Sequence, residues 1–384
     1  MPEAPHTVEL RVGGELYSGW TGGSVRQSLD QFASAFSLEF VDRWAAGQEP
    51  WPIFEGDLCQ LRIDDEVLLD GFVDEAPSSY DADTWDLSVS GRSRLGDLVD
   101  CDAVKRGSQW LDAELTEIVL DLCRPFDVGV FAPRMPPKFR RFKFDPGDKV
   151  ADVIMRAARL RGMMTTDFGG HLELFQLDPD EPAVAHLEPG YSVLRGGRSV
   201  SWADRFSEYR FRGQTQADDK TNGVAAARLK GTVRDEQIDR YRPMLVLAGD
   251  ADGDRDLGLR AILERNQRAG RSERISYMVP GFRHRQGGLW RPGQIATVTD
   301  PFFRIEDERF VVVSAAMAFG PGDVGGRGEG MVTELELTRP EAYGAGEYPL
   351  RREVSRRRAR ARAAAKAERA ARAARAAAEA EEGS

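Results

Sequence analysis

Four histidines, His6, His171, His186 and His284, stand far apart, and no two share the short spacing at which one helix or hairpin offers a metal two ligands. The three cysteines, Cys59, Cys101 and Cys123, are odd in number and widely separated. That fits neither a zinc-binding pair nor a disulfide framework, and agrees with synthesis in a reducing cytoplasm. No nucleophile elbow, phosphate-binding loop or dinucleotide fingerprint occurs. A dyad of Cys123 with a distant histidine is conceivable, but a cysteine beside Leu122 at a helix end reads first as a small buried apolar group. Carboxylates are plentiful: Asp64-Asp65-Glu66, Asp81 with Asp83, Asp97 with Asp100. A glycosidase needs two of them across a cleft, one with a raised pKa. Here Asp64-Asp65 reads as the completion of a hairpin turn and Asp97 as a local cap. No residue is therefore assigned to catalysis, to a cofactor or to a metal.

The most distinctive linear segment is Gly91-Arg-Ser-Arg-Leu-Gly-Asp-Leu-Val-Asp100. Gly91 and Gly96 permit tight backbone turns. Arg92 and Arg94 can bridge to Asp97, to Asp100 or to another chain. A junction held by ion pairs within the chain and a contact between subunits both remain open.

The elements around this segment follow a pattern used twice. Trp51 to Ile63 runs through Gly56 into a strand, and Val67 to Val73 forms the next. Trp290 to Thr299 runs through Gly293 into a strand, and Glu308 to Ser314 follows. Each is a glycine turn, a short alternating strand, a polar connection and a second β-rich strand. Short alternating strands such as Val8 to Val12 and Phe36 to Val41 predict a small barrel or sandwich over residues 1–91. Ser24 to Phe32 reads as a short strand or an edge connection. Residues 92–190 form an α/β domain, with helices predicted over Trp110 to Cys123 and Val150 to Arg161 and a hairpin about Gly169-Gly170. A second barrel is expected from 191–215 and 273–340, interrupted by an inserted segment, 216–272, that carries a helix from Asp256 to Gly270. The fold class is α+β, with two β-barrels and a low-complexity helical tail over 341–384.

With 384 residues, 41% hydrophobic and 30% charged, the chain has the size and composition of a multidomain globular protein. No apolar run is long enough to span a bilayer, so no stable membrane insertion is expected, and the N-terminus lacks the pattern of a secretory signal. The charge is uneven. From Arg351 onward 11 Lys/Arg meet 5 Asp/Glu, a net +6, which leaves the body at −16 within the total of −10. An acidic body argues against a nucleic-acid-binding surface and suits one that nucleic acid slides past. The tail is almost wholly Ala, Arg and Glu, good helix formers with no apolar stripe beyond alanine. Arg351, Arg352, Arg356, Arg357, Arg358, Arg360 and Arg362 are candidate partner-binding residues within a solvated tail or one ordered by an acidic partner.

Taken together, Leu10-Arg-Val-Gly-Gly with Tyr17 and Trp20, Gly56-Asp, Gly71-Phe-Val-Asp74, Gly91-Arg-Ser-Arg with Asp97-Leu-Val-Asp-Cys101, Trp110, Pro125-Phe126, Trp290-Arg-Pro-Gly293 and Leu335-Glu-Leu-Thr-Arg-Pro-Glu-Ala resemble the baseplate hub proteins of Mu-like contractile-tailed phages. The resemblance spans about residues 7 to 343 and excludes the tail. It implies a structural, non-enzymatic protein with two tail-tube-like β-barrels per chain. It implies a homotrimer whose pseudo-sixfold ring joins the tail tube, or a tube initiator, to the trimeric central spike. Baseplate wedge proteins are expected around the ring and DNA only in passage through its lumen. The location would be the virion baseplate, assembled in the host cytoplasm. The hub of a phage-derived contractile bacteriocin and a cell-wall-degrading tail protein stand as alternatives.

Overall fold

The computed structural model describes residues 6–43, 51–81, 84–133, 136–214, 229–250, 254–320 and 330–344. The expected tail helix, with Arg351, Arg352, Arg356, Arg357, Arg358, Arg360 and Arg362, lies outside them. The chain divides into two units: Met1–Asp204 with Asn266–Ala345, and a smaller one containing Arg205–Arg265.

The larger unit opens with eight strands: β1 (Val8–Val12), β2 (Glu15–Tyr17), β3 (Gly22–Ser28), β4 (Ala35–Arg43), β5 (Leu58–Ile63), β6 (Glu66–Glu75), β7 (Ser78–Tyr80) and β8 (Thr84–Ser93). In β5 and β8 every second side chain is buried, the period of a sheet with one face on a core. A compact domain follows, made of α1 (Leu95–Asp100), β9 (Gln109–Ala113), α2 (Leu115–Cys123), β10 (Val130–Phe131), β11 (Phe139–Lys143), α3 (Val150–Leu160), β12 (Met164–Phe168) and β13 (His171–Phe175). Its own core gathers Leu95, Leu98, Ile118, Val119, Val153, Ile154, Leu172 and Leu174. The helix expected from Trp110 starts later. Trp110 and Ala113 are buried as part of β9, paired with β11, and Leu111 points outward at 67% exposure. Leu111 thus belongs to the strand period of two, and the apolar stripe of α2 begins at Leu115.

The chain then returns to β structure with β14 (Ala185–Leu187) and β15 (Arg195–Val200). Next come β16 (Glu208–Gln214), β17 (Leu229–Arg234), β18 (Pro243–Asp250) and α4 (Asp254–Arg271), then β19 (Glu273–Pro280), β20 (Ile295–Asp300), β21 (Ile305–Phe319) and β22 (Val332–Thr338). Strand β16 was expected in the second barrel. It instead forms the centre of a three-stranded sheet in the smaller unit, antiparallel to β17 and parallel to β18. Its buried Tyr209 and Phe211 meet Leu257 and Ala261 of α4. A side chain at Gly231 would begin 2.4 Å from the backbone of Leu257, so glycine lets β17 lie directly against α4.

Within the larger unit the two β halves repeat one another strand for strand. Strands β3, β4, β5, β6 and β8 correspond to β15, β19, β20, β21 and β22, in the same chain order. Gly56 donates to the carbonyl of Val73 and Gly293 to that of Val312, both at 2.8 Å; the two glycines have φ of 86° and 91°. Thr21 donates to Glu39 and Leu194 to Met278, again both at 2.8 Å. Each long strand breaks register at the same place, between Val73 and Glu75 and between Val312 and Ser314. The flanks depart from the repeat: β1 runs antiparallel to β5, whereas β14 runs parallel to β20.

The expected pair of closed barrels is not found. Among the described strands the pairing runs open through β15-β19-β22-β21-β3-β4-β8-β6-β5-β1-β2, with β7, β14 and β20 attached, as one 14-stranded sheet. The physical reason lies in β3, within the segment read as a short strand or an edge connection. Its second edge is taken by β21, in register from Ser314 opposite Ser28 to Phe319 opposite Gly23. That edge is then unavailable to close the first half upon itself. One apolar core, containing Leu10, Leu38, Leu61, Val89, Tyr277, Phe310 and Leu335, extends beneath both halves.

Candidate functional site: an ion-paired frame for assembly

The distinctive arginines sit where the first β half enters the compact domain. Arg92, on β8, places Nε 2.7 Å from Asp74 of β6 and Nη2 2.7 Å from Asp100 at the end of α1. The Arg92 hydrogen bond holds the Asp100 carboxyl below its ordinary range, and Asp100 and Asp74 in turn raise the guanidinium. Gly96 makes this possible: a side chain there would begin 3.2 Å from the Arg92 Cβ. Arg94 turns the other way, 3.4 Å from Asp70 and 3.6 Å from Asp127. Asp97 lies apart from this pairing, exposed in the first turn of α1, and its carbonyl accepts from Cys101 N–H at 2.9 Å. The cluster thus ties β6, β8, α1 and the turn after α2 into one frame within the chain.

A second cluster crosses between the β halves, unmarked by any local pattern in the sequence. The β5–β6 turn offers Asp64 and Glu66. Arg283 reaches both at 3.1 Å, and Arg291 reaches Glu66 at 2.7 Å. His6 Nδ1 lies 3.0 Å from Asp64, and its ring stacks on Phe282 with centroids 5.5 Å apart. Burial works to raise the Asp64 carboxyl, but hydrogen bonds from Thr7 N–H, His6 and Arg283 outweigh it and hold the group below its ordinary range. Arg291 also lies over the Phe168 ring, 4.4 Å from its centre, so the compact domain joins the same clamp. The acidic turn was legible as a turn. Its cationic partners lie 217 to 225 residues away in sequence, beyond the reach of any local pattern.

Elsewhere, Cys59 and Cys123 are buried in the packing. Burial pushes the thiols of Cys59 and Cys123 up to about 12, far from the range of a nucleophile. His186 Nδ1 meets Thr297 Oγ1 at 2.8 Å, and burial and then Arg283 push the His284 imidazole down. Burial raises Glu173, opposed by Arg291. Among the described residues no three His, Cys, Asp or Glu come together as a metal site. The sheet face away from the core is lined by small and charged residues, including Arg26, Arg274, Ser314, Ala316, Glu334 and Glu336, along an open groove of about 400 Å³.

Three family models match in series. Residues 7–93 match the N-terminal domain of the Mu phage baseplate assembly protein GpP-like family, 95–176 the second domain of the baseplate hub protein gp44-like family, and 205–262 the third domain of the tail protein NMB1110-like family. The chain is 28% identical over 347 residues to the baseplate hub protein gp44 of Escherichia phage Mu, covering 88% of this chain and 89% of that one. Among solved structures it is similar to the 43 kDa tail protein of prophage MuSo2 from Shewanella oneidensis, with TM-score 0.76, 28% identity, and 88% and 99% of the two chains covered. The tail protein from Neisseria meningitidis MC58 shares the fold, with TM-score 0.76, 22% identity, and 90% and 100% covered.

Proposed function

With the chain recognised, domain by domain, as a relative of the baseplate hub proteins of Mu-like contractile-tailed phages, we propose that it is the baseplate hub of such a tail and that three copies close a ring. Each copy contributes two equivalent β halves, so three copies place six similar units around one axis. Such a ring meets a sixfold tube on one side and a threefold spike on the other. The observation that carries this reading is the repeat of β3, β4, β5, β6 and β8 by β15, β19, β20, β21 and β22 within one sheet. A closed ring of identical chains needs only one kind of head-to-tail contact, repeated.

The tail tube or its initiator, the trimeric central spike and the baseplate wedge proteins are the partners this role requires, in the virion. DNA passes through the lumen without being held. The net charge of −16 on the body suits that passage, since an acidic surface repels a phosphate backbone. On the core-free face of the sheet, Arg198 is paired with Glu273 at 2.6 Å and Arg274 with Asp30 at 2.7 Å. The Arg-rich tail is assigned to contacts with a partner. Frames of ion pairs such as Arg92 with Asp74 and Asp100 keep the β halves rigid while those contacts form.

Light scattering on the purified chain tests the reading. A native mass three times that of the chain is the expected result, both for the full chain and for one ending at Leu350. A monomer at high concentration in both forms would overturn it.

A further inference from the structure

We propose that the outer face of the three-stranded sheet in the smaller unit docks on an anionic lipid surface, with the apolar column of β18 entering the headgroup layer and the cations of β16 and β17 meeting lipid phosphates. This contact is independent of the ring. It is peripheral: among the described residues no helix is long and apolar enough to cross a membrane.

The sheet has two unlike faces. Tyr209 and Phe211 of β16, with Val233 of β17 and Met244 and Val246 of β18, pack with Leu257 and Ala261 of α4. Successive side chains of a strand point to opposite faces, so the residues between these turn the other way, and there they are uncovered. Tyr241, Leu245 and Leu247 are 78%, 56% and 79% exposed. Register sets the outer face in rows. Pro243, Glu208 and Arg234 form the first, Leu245, Arg210 and Thr232 the second, and Leu247, Arg212 and Lys230 the third. Tyr241 joins them beside Arg210. An apolar column thus runs along β18, at the edge of the sheet. Behind it stand four cations, Arg210, Arg212, Lys230 and Arg234, against one carboxylate, Glu208, a net +3. Glu208 lies 2.5 Å from Arg210.

Exposed apolar residues gathered beside polar ones mark a contact surface, and charge narrows what this one meets. The chain's own tail carries a net +6, so like charge disfavours it as the occupant. Three of the four cations are arginines, whose planar guanidinium takes a phosphate through two parallel bonds. Neighbouring strands stand about 4.8 Å apart, which puts the cation columns roughly 5 and 10 Å behind the apolar one. An amphipathic element at a lipid interface buries its apolar side by about 5–10 Å. With the sheet tilted onto β18, Leu245 and Leu247 pass below the headgroups while the guanidiniums stay level with the phosphates. Tyr241 suits that boundary, with an apolar ring and a polar tip. A protein segment would have to match both columns with its own pattern, whereas a bilayer supplies phosphate above hydrocarbon along any line.

Sedimentation of the full chain with vesicles tests the contact. Vesicles of equimolar phosphatidylethanolamine and phosphatidylglycerol should carry the chain down, vesicles of phosphatidylcholine should not, and salt should weaken the binding. Arg212→Gln with Arg234→Gln should weaken it roughly 25-fold, at about fivefold for each cation near an anionic surface. Arg140→Gln with Lys143→Gln, which removes two exposed cations of the compact domain, should leave it unchanged. A polarity-sensitive fluorophore on Leu247→Cys, in a Cys101→Ser background, should shift to the blue on the anionic vesicles. Binding that survives the Arg212 and Arg234 substitutions, or that leaves the fluorophore unshifted, puts the contact elsewhere, as on the Arg-rich tail, and overturns the proposal. A chain that stays in solution beside anionic vesicles at low salt also overturns it and leaves the face to an acidic protein segment.

Discussion

Arg92 touches Asp74 on one strand and Asp100 at the end of a helix, and Arg94 touches Asp70 and Asp127, so four carboxylates answer two cations. Arg92 and Asp100 stand eight residues apart, close enough for a local reading of the sequence to bring them together. Such a reading could not name Asp74, Asp70 or Asp127, which are neighbours only after the sheet forms. The same separation hid the Arg283 and Arg291 clamp on Asp64 and Glu66. Thiol chemistry is simpler to read at this scale. Cys59 and Cys123 are buried and their thiols pushed up to about 12, whereas Cys101 is exposed at the end of α1. Only thiolate reacts with an aromatic disulfide reagent. The native chain should therefore show one fast-reacting thiol near pH 8, lost in Cys101→Ser, and three in denaturant. A second fast thiol in the native chain would contradict the burial described for Cys59 and Cys123.

At the scale of elements, most strands were legible because period-two burial marks a sheet with one face on a core. Trp110 to Ala113 misled because a strand and a following helix, with Glu114 between them, together mimic one helical stripe. Strand β16 misled in another way. Its alternation says that it is a strand, but nothing in Glu208–Gln214 says which sheet it joins. What ties it to its own sheet includes a buried ion pair at the entry to the smaller unit. Arg205 and Asp235 are 2% and 6% exposed and lie 2.6 Å apart, with Gln237 adding a bond at 3.1 Å. Removing one partner strands the other charge in the interior, a loss of about 3–5 kcal/mol. Arg205→Ala should accordingly lower the unfolding transition strongly, and Arg205→Met with Asp235→Leu should recover most of the loss. Equal loss in both variants, followed by chemical denaturation, would show that the pair matters for more than its buried charge.

For the whole molecule, the repeat was visible in sequence through its two glycine turns, Gly56 and Gly293, and its strand pairs. The closure of the halves was not visible, since it depends on which strand takes the second edge of β3. The answer, β21, makes one continuous sheet from two equivalent halves. The proposal that three copies make a six-unit ring rests on this repeat. The chain shares its domain series with the Mu-type hub and tail proteins. The most direct test of that claim is electron microscopy of the purified protein viewed down the ring axis. Closed rings with six similar lobes of sheet are predicted. Open chains, or rings with any other number of lobes, would contradict the account.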